Sequence, residues 1–173
     1  MEREKESVKE VELVGKEKLP RDTFVDISRR HVREVNEDAR TGKRLIKGKE
    51  LPWIQNPNGI IRRYCHPLMR GYAMDTIYLF VHEIRTHSGR HVHQGGLGLF
   101  VLGGKGYTVV DGVRHDWGVG DLILLPVKQG GCEHQHFNLN NQPSRWLALI
   151  PSSLRHFVGE KMDQKELHPN LRP

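Results

Sequence analysis

Cysteine is scarce in this chain. Cys65 and Cys132 are the only two; they stand far apart, and neither belongs to a C-x-x-C pair. This excludes a disulfide-stapled scaffold. Reduced thiols in a cytoplasmic protein are a simpler reading than a single bridge. Long apolar runs are missing too. No stretch approaches the roughly 20 residues that span a bilayer, and the start, Met1-Glu2-Arg3-Glu4-Lys5-Glu6, has no apolar segment of the secretory kind. Nor is charge of one sign concentrated. The formal net charge of +6 arises from 27 basic and 21 acidic residues, intermixed, with no basic cluster interleaved with aromatics. A nucleic-acid surface would need such a cluster. The expectations are therefore no nucleic acid, no membrane, a cytoplasmic location and a small-molecule partner. The mild positive balance serves solubility or attracts an anionic substrate.

What is present divides into four stretches. Residues 1–20 form an arm of alternating charge that ends at Pro20. Residues 21–75 begin with a helix: Asp22 or Thr23 supplies the cap, and Phe24, Ile27, His31 and Val35 recur at helical spacing as far as about Arg40. Extended pieces follow at Leu45-Ile46 and Leu51-Pro52-Trp53-Ile54. A turn comes at Asn56-Pro57-Asn58-Gly59, and Ile60 to Tyr64 reads as a further strand. The apolar residues of this front segment are expected to pack on what comes next. Residues 76–151 carry short β-rich runs punctuated by glycine: Ile77 to Val81, Leu97 to Leu102, Tyr107 to Val110, Leu122 to Leu125 and Arg145 to Ile150. That is the pattern of an all-β sandwich or barrel. Asp111-Gly112 suits a two-residue type I′ hairpin turn. Leu122 to Leu125, nearly continuous in apolar character, is expected to be buried on both faces. Residues 152–173 form a polar tail with a short helix near Leu154 to Val158.

Two runs carry chemistry. One is His91-Val92-His93 and the other is His134-Gln135-His136. Side chains alternate along a strand, so the two histidines of each run point the same way. Two imidazoles on one face can take adjacent positions on a metal ion. A closed barrel can bring both runs to a single interior point.

In these motifs the chain resembles a cupin. His91, His93 and Gly104 fit the first cupin motif, and Gly120, Pro126, His134 and Asn138 fit the second. The resemblance implies a double-stranded β-helix, or jelly-roll barrel, preceded by a helical and extended segment. It implies one divalent metal ion held by His91, His93 and His134. The glutamate of the first motif falls by spacing at Leu97. The resemblance is therefore to three-histidine cupins, and most of all to gentisate-type ring-cleaving dioxygenases. His136 is then an acid/base beside the ion or an additional ligand, and Leu97, Leu99, Val101 and Tyr107 are the expected substrate pocket. Arg85, Arg90 and Arg114 are candidate clamps for a carboxylate.

Three neutral imidazoles leave the full 2+ charge of the ion in place and leave coordination positions open, which favours an anionic chelating substrate. Iron(II) is the first choice of metal, with zinc, manganese, nickel or copper as alternatives. The expected activity is that of a dioxygenase on a small aromatic or other chelating anion. The alternatives are a redox-neutral metalloenzyme (decarboxylase, isomerase or hydrolase) and a non-catalytic binding protein. Open sheet edges and an apolar front segment suggest a homodimer.

Overall fold

The computed structural model of the chain describes residues 23–171 apart from 75, 158, 160 and 161. The charged arm of residues 1–20 lies outside the described residues. Helix α1 (Thr23–Thr41) covers the stretch whose spacing predicts it. It closes with Gly42 N–H donating to Asp38 C=O at 2.8 Å and the Thr41 hydroxyl donating to Glu37 C=O at 2.8 Å. None of its residues is buried. Phe24 is 73% exposed and Ile27 52%, so the apolar stripe of α1 does not pack on the rest of the described chain as expected.

The rest of the front segment does enter the fold, as strands. β1 (Ile54–Asn56) and β2 (Gly59–Cys65) form a hairpin. Asn56 builds its turn by accepting, on Oδ1, the N–H groups of Asn58 and Gly59 at 2.9 and 3.1 Å. Then come β3 (Ile77–Ile84), β4 (Arg90–His93), β5 (Leu97–Gly103), β6 (Gly106–Val110), β7 (Val113–Trp117), β8 (Leu122–Leu125), β9 (Cys132–Asn138) and β10 (Ser144–Pro151). Helix α2 (Ser152–Phe157) and β11 (Asp163–Glu166) complete the chain. The hairpin between β6 and β7 turns at Asp111 (φ 48°) and Gly112 (φ 82°), the two left-handed positions of a type I′ turn.

The strands make two antiparallel sheets, in the orders β1-β2-β3-β10-β5-β8 and β11-β4-β9-β6-β7. The core lies between them. Ile84, Leu99, Val101, Leu125, Trp146 and Ala148 of the first sheet meet Trp117 and Cys132 of the second. Both sheets reach beyond residues 76–151, because β1 and β2 extend one and β11 caps the other. The stretch 152–173 is thus more than a tail. Asp163-Gln164-Lys165-Glu166 is polar throughout, and it joins the sheet by backbone pairing to β4.

Strand β8 also departs from expectation. Ile123 and Leu125 are buried, whereas Leu122 and Leu124 are 57% and 69% exposed. β8 is an edge strand with only one face on the core, and period-two alternation forces its other two leucines outward.

Candidate metal centre and cavity

β4 and β9 pair antiparallel, with His91 directly opposite His134 and His93 opposite Cys132. This register places three rings together. The His91–His134 centroids are 4.3 Å apart, His93–His134 4.7 Å and His91–His93 5.3 Å. One potential ligand atom from each ring lies within 4.8 Å of the others, and all three residues are buried. Burial holds the His91 pKa below the ordinary imidazole value, and that of His134 well below it, with the neighbouring imidazoles adding to the shift at His134. Neutral rings keep the lone pairs that a metal needs.

Backbone contacts orient two of them. His91 Nδ1 is 3.3 Å from Gly89 C=O, and His134 Nδ1 is 3.1 Å from Cys132 C=O. A carbonyl only accepts, so each Nδ1 carries the proton and each Nε2 is left with its lone pair. His93 differs. Its Nδ1 accepts from Gly95 N–H at 2.9 Å. An ion held through Nε2 of His93 would require the ring proton on Nδ1, where Gly95 N–H now donates.

His136 lies two residues further along β9, past the paired end of β4. Its N–H donates to Ser88 Oγ at 2.9 Å, and its C=O accepts from Ser88 N–H at 2.8 Å. Across the sheet it faces Thr108 of β6. Thr108 Oγ1 accepts from Trp117 Nε1 at 2.9 Å and sits 2.8 Å from His136 Nδ1. Burial holds the pKa of His136 well below the ordinary value, and the neighbouring imidazoles add to the shift.

These histidines border a cavity of about 250 Å³. Its other walls are Ile61, Tyr78, Phe80, His82, Leu97, Leu99, Trp146 and Ile150, with Asn56, Asn58, Met162 and Gln164 among its remaining lining residues. Leu97 and Leu99 stand in the wall, as expected. Val101 and Tyr107 do not. Val101 is fully buried one step deeper in the core. Tyr107 has the opposite parity from inward-facing Thr108; it stacks on Phe137 at 4.5 Å, with the Arg114 guanidinium 3.9 Å from its ring centre. The three arginines proposed as clamps are also elsewhere. Arg85 pairs with Glu83, Arg90 with Glu133 and Glu166, and Arg114 with Asp116.

Sequence reasoning missed part of the wall. Counting back in twos from Ile84 along β3 gives His82, Phe80 and Tyr78, so parity alone would have found them. Met162 and Gln164 gave no such signal, because they arrive with β11. His82 is buried, and its pKa is lowered to about 3 by desolvation and by the nearby His91 and His168. Gly59 makes room for it, since a Cβ there would come within 1.9 Å of His82 Nε2.

Two facing antiparallel sheets with three converging imidazoles at the cavity make a cupin-like barrel with a cluster that could hold a metal ion. Residues 79–150 match the family described as "Cupin domain". Two curated relatives are dioxygenases. One is a 5-aminosalicylate 1,2-dioxygenase from Comamonas sp, 30% identical over 83 residues, covering 47% of this chain and 21% of the relative. The other is a gentisate 1,2-dioxygenase from Ralstonia sp, 28% identical over 120 residues, covering 66% of this chain and 33% of the relative. The chain thus spans only a fifth to a third of their length. Among solved structures, salicylate 1,2-dioxygenase from Pseudoaminobacter salicylatoxidans with gentisate superposes with a TM-score of 0.53 at 20% identity, over 82% of this chain and 43% of that one. That likeness is one of fold.

Proposed function

We propose that this protein is an iron(II)-dependent dioxygenase acting on a small aromatic or other chelating anionic substrate. The observation that carries the reading is the make-up of the cavity. Three buried neutral imidazoles converge where Leu97 places hydrocarbon instead of a carboxylate, and an aromatic and aliphatic wall faces them. His91, His93 and His134 would hold the ion. At such a site iron(II) supplies the activation of dioxygen that the side chains cannot. Phe80, Tyr78, Trp146 and Leu99 form a slot for a flat apolar ring. His136, hydrogen-bonded to Thr108 beside the three rings, would serve as an acid/base toward the substrate or as an additional ligand. The relatedness of two curated dioxygenases supports the same reading.

We further propose a cytoplasmic homodimer. Phe100, Leu102, Leu122, Leu124 and Leu149 are exposed on the outer face of neighbouring strands β5, β8 and β10, an apolar surface suited to a second copy. No described helix is long and apolar enough to cross a membrane.

The test is metal analysis of protein purified without added metal, followed by oxygen uptake with catechols, hydroxybenzoates and small thiols. Bound iron and substrate-dependent uptake are expected. Redox-neutral turnover without uptake would replace this reading with Lewis-acid chemistry, and metal without any turnover would replace it with a binding role.

A further inference from the structure

Strands β2, β3 and β10 carry side chains on two faces. Ile61, Phe80 and Trp146 border the cavity beside the histidines. Residues of opposite parity stand on the other side of the sheet. There Arg62 of β2, Val81 of β3 and Arg145 of β10 border a second cavity, of about 320 Å³, with Trp53, Leu102 and Pro143 among its other walls. Register explains the hollow. Arg62 is paired with Val81, and Arg145 is paired with Glu83, two residues further along β3. The short, buried Val81 is a floor between two long side chains. Both guanidinium groups approach one indole: their central carbons lie 4.3 Å (Arg62) and 5.4 Å (Arg145) from the centre of the Trp53 ring. Arg145 donates from Nε and Nη2 to Glu83 Oε2 at 3.0 and 2.7 Å. Arg62 Nε is buried and has no hydrogen-bond partner.

We infer that this hollow is a second ligand site and that it takes a small organic monoanion, a carboxylate on an apolar body. The planar guanidinium of Arg62 matches a carboxylate in shape and charge. Arg62 and Arg145 bring two positive charges to the hollow, and the buried Glu83 cancels one of them. One net charge suits a monoanion. Val81, Leu102 and Pro143 supply hydrocarbon for the body of the ligand. An inorganic dianion would bring a second charge and leave that hydrocarbon uncovered. The site lies across the sheet from the histidines, so it depends on neither the metal nor the proposed reaction. It shares only Leu102 with the apolar surface assigned above to a second copy.

Two indoles report on the two faces of the sheet separately, because Trp53 borders the hollow and Trp146 the histidine cavity. Isotope-labelled, zinc-loaded protein is titrated with hexanoate, with the neutral hexanamide and with inorganic phosphate, and the indole N–H resonances are followed by NMR. Hexanoate is expected to move the Trp53 resonance saturably. It should bind there about tenfold or more tightly than hexanamide or phosphate. Arg62→Gln, which removes the charge, should weaken hexanoate by about tenfold or more, with zinc content and thermal midpoint as in the parent. The comparison of the three ligands on the unaltered protein stands without that variant. A hexanoate response that is absent or confined to Trp146 would overturn the inference. So would amide or phosphate binding as tight as hexanoate, or an undiminished response in Arg62→Gln. None of these results bears on the proposed function, which is tested by metal content and oxygen uptake.

Discussion

Strands β4 and β9 each carry an H-x-H run, and the two runs meet different ends. In β4 both histidines face the centre, and both rings lie within 4.3–4.7 Å of His134. In β9 only His134 stands opposite β4. His136 has run past the ladder and is bound instead to Thr108 and Ser88. The same three-residue pattern thus brings two rings to the cluster from one strand and, from the other, one ring to the cluster and one to the Thr108 contact. Parity decides which way a side chain points. The register of the neighbouring strand decides what it meets.

The sharpest way to break that comparison is to remove one histidine of β9 at a time. His134→Ala should lose most of the bound metal. His136→Ala should cost at most about 10- to 100-fold in metal affinity, as is usual for residues beyond the ligands, while losing turnover. Metal content by mass spectrometry reads both, and loss of metal from His136→Ala alone would reverse the assignment. Next in size is Leu97→Glu, which adds a carboxylate beside the β4 pair. It should hold metal at least as well as the parent and reduce oxygenase turnover by about tenfold or more, because the new ligand takes a position meant for substrate. Turnover at the parent rate would show that this position is not used.

Thr108→Val probes the anchoring of His136 in β9. It leaves Trp117 Nε1–H and His136 Nδ1 without partners, which should cost about 1–3 kcal/mol of stability with metal content unchanged. Urea denaturation measures the first and metal analysis the second. The last probe is the pH dependence of the metal-free protein. His82, His91, His134 and His136 have depressed pKa values in the fold, to about 3 for His82, mainly through burial. Below about pH 6.5 the unfolded chain takes up protons that the folded chain refuses. Stability should therefore fall as pH drops below about 6.5, with a contribution from His82 of about 1.4 kcal/mol per pH unit at most, continuing towards pH 3. A denaturation midpoint that stayed flat from pH 7 to 5 would contradict the buried, neutral state of these rings.

Much of this was legible in the sequence where local rules suffice. The Asp111-Gly112 turn, the helix after Thr23 and the shared facing of each histidine pair follow from residue chemistry and parity. What was not legible depends on partners. The leucines of β8 alternate between core and solvent because only one face of their sheet lies on the core, and no apolar count reveals which face is covered. Tyr107 and Thr108 exchange roles according to the register of β6 on β9. β11 is a strand of four polar residues, held by its backbone, so composition gives no sign of it. The spacing of α1 foretold a helix, yet spacing cannot say whether the apolar stripe finds a surface. The choice between His134 and His136 depends on where β4 ends.

The most direct test of the central claim is a crystal structure of zinc-loaded protein, with the ion located by its anomalous scattering. The account predicts one ion with a ring nitrogen of each of His91, His93 and His134 at about 2.0–2.2 Å, and with His136 still bound to Thr108 and outside bonding distance. An ion bonded to His136 in place of His134, or one that left any of the three histidines unbound, would contradict it.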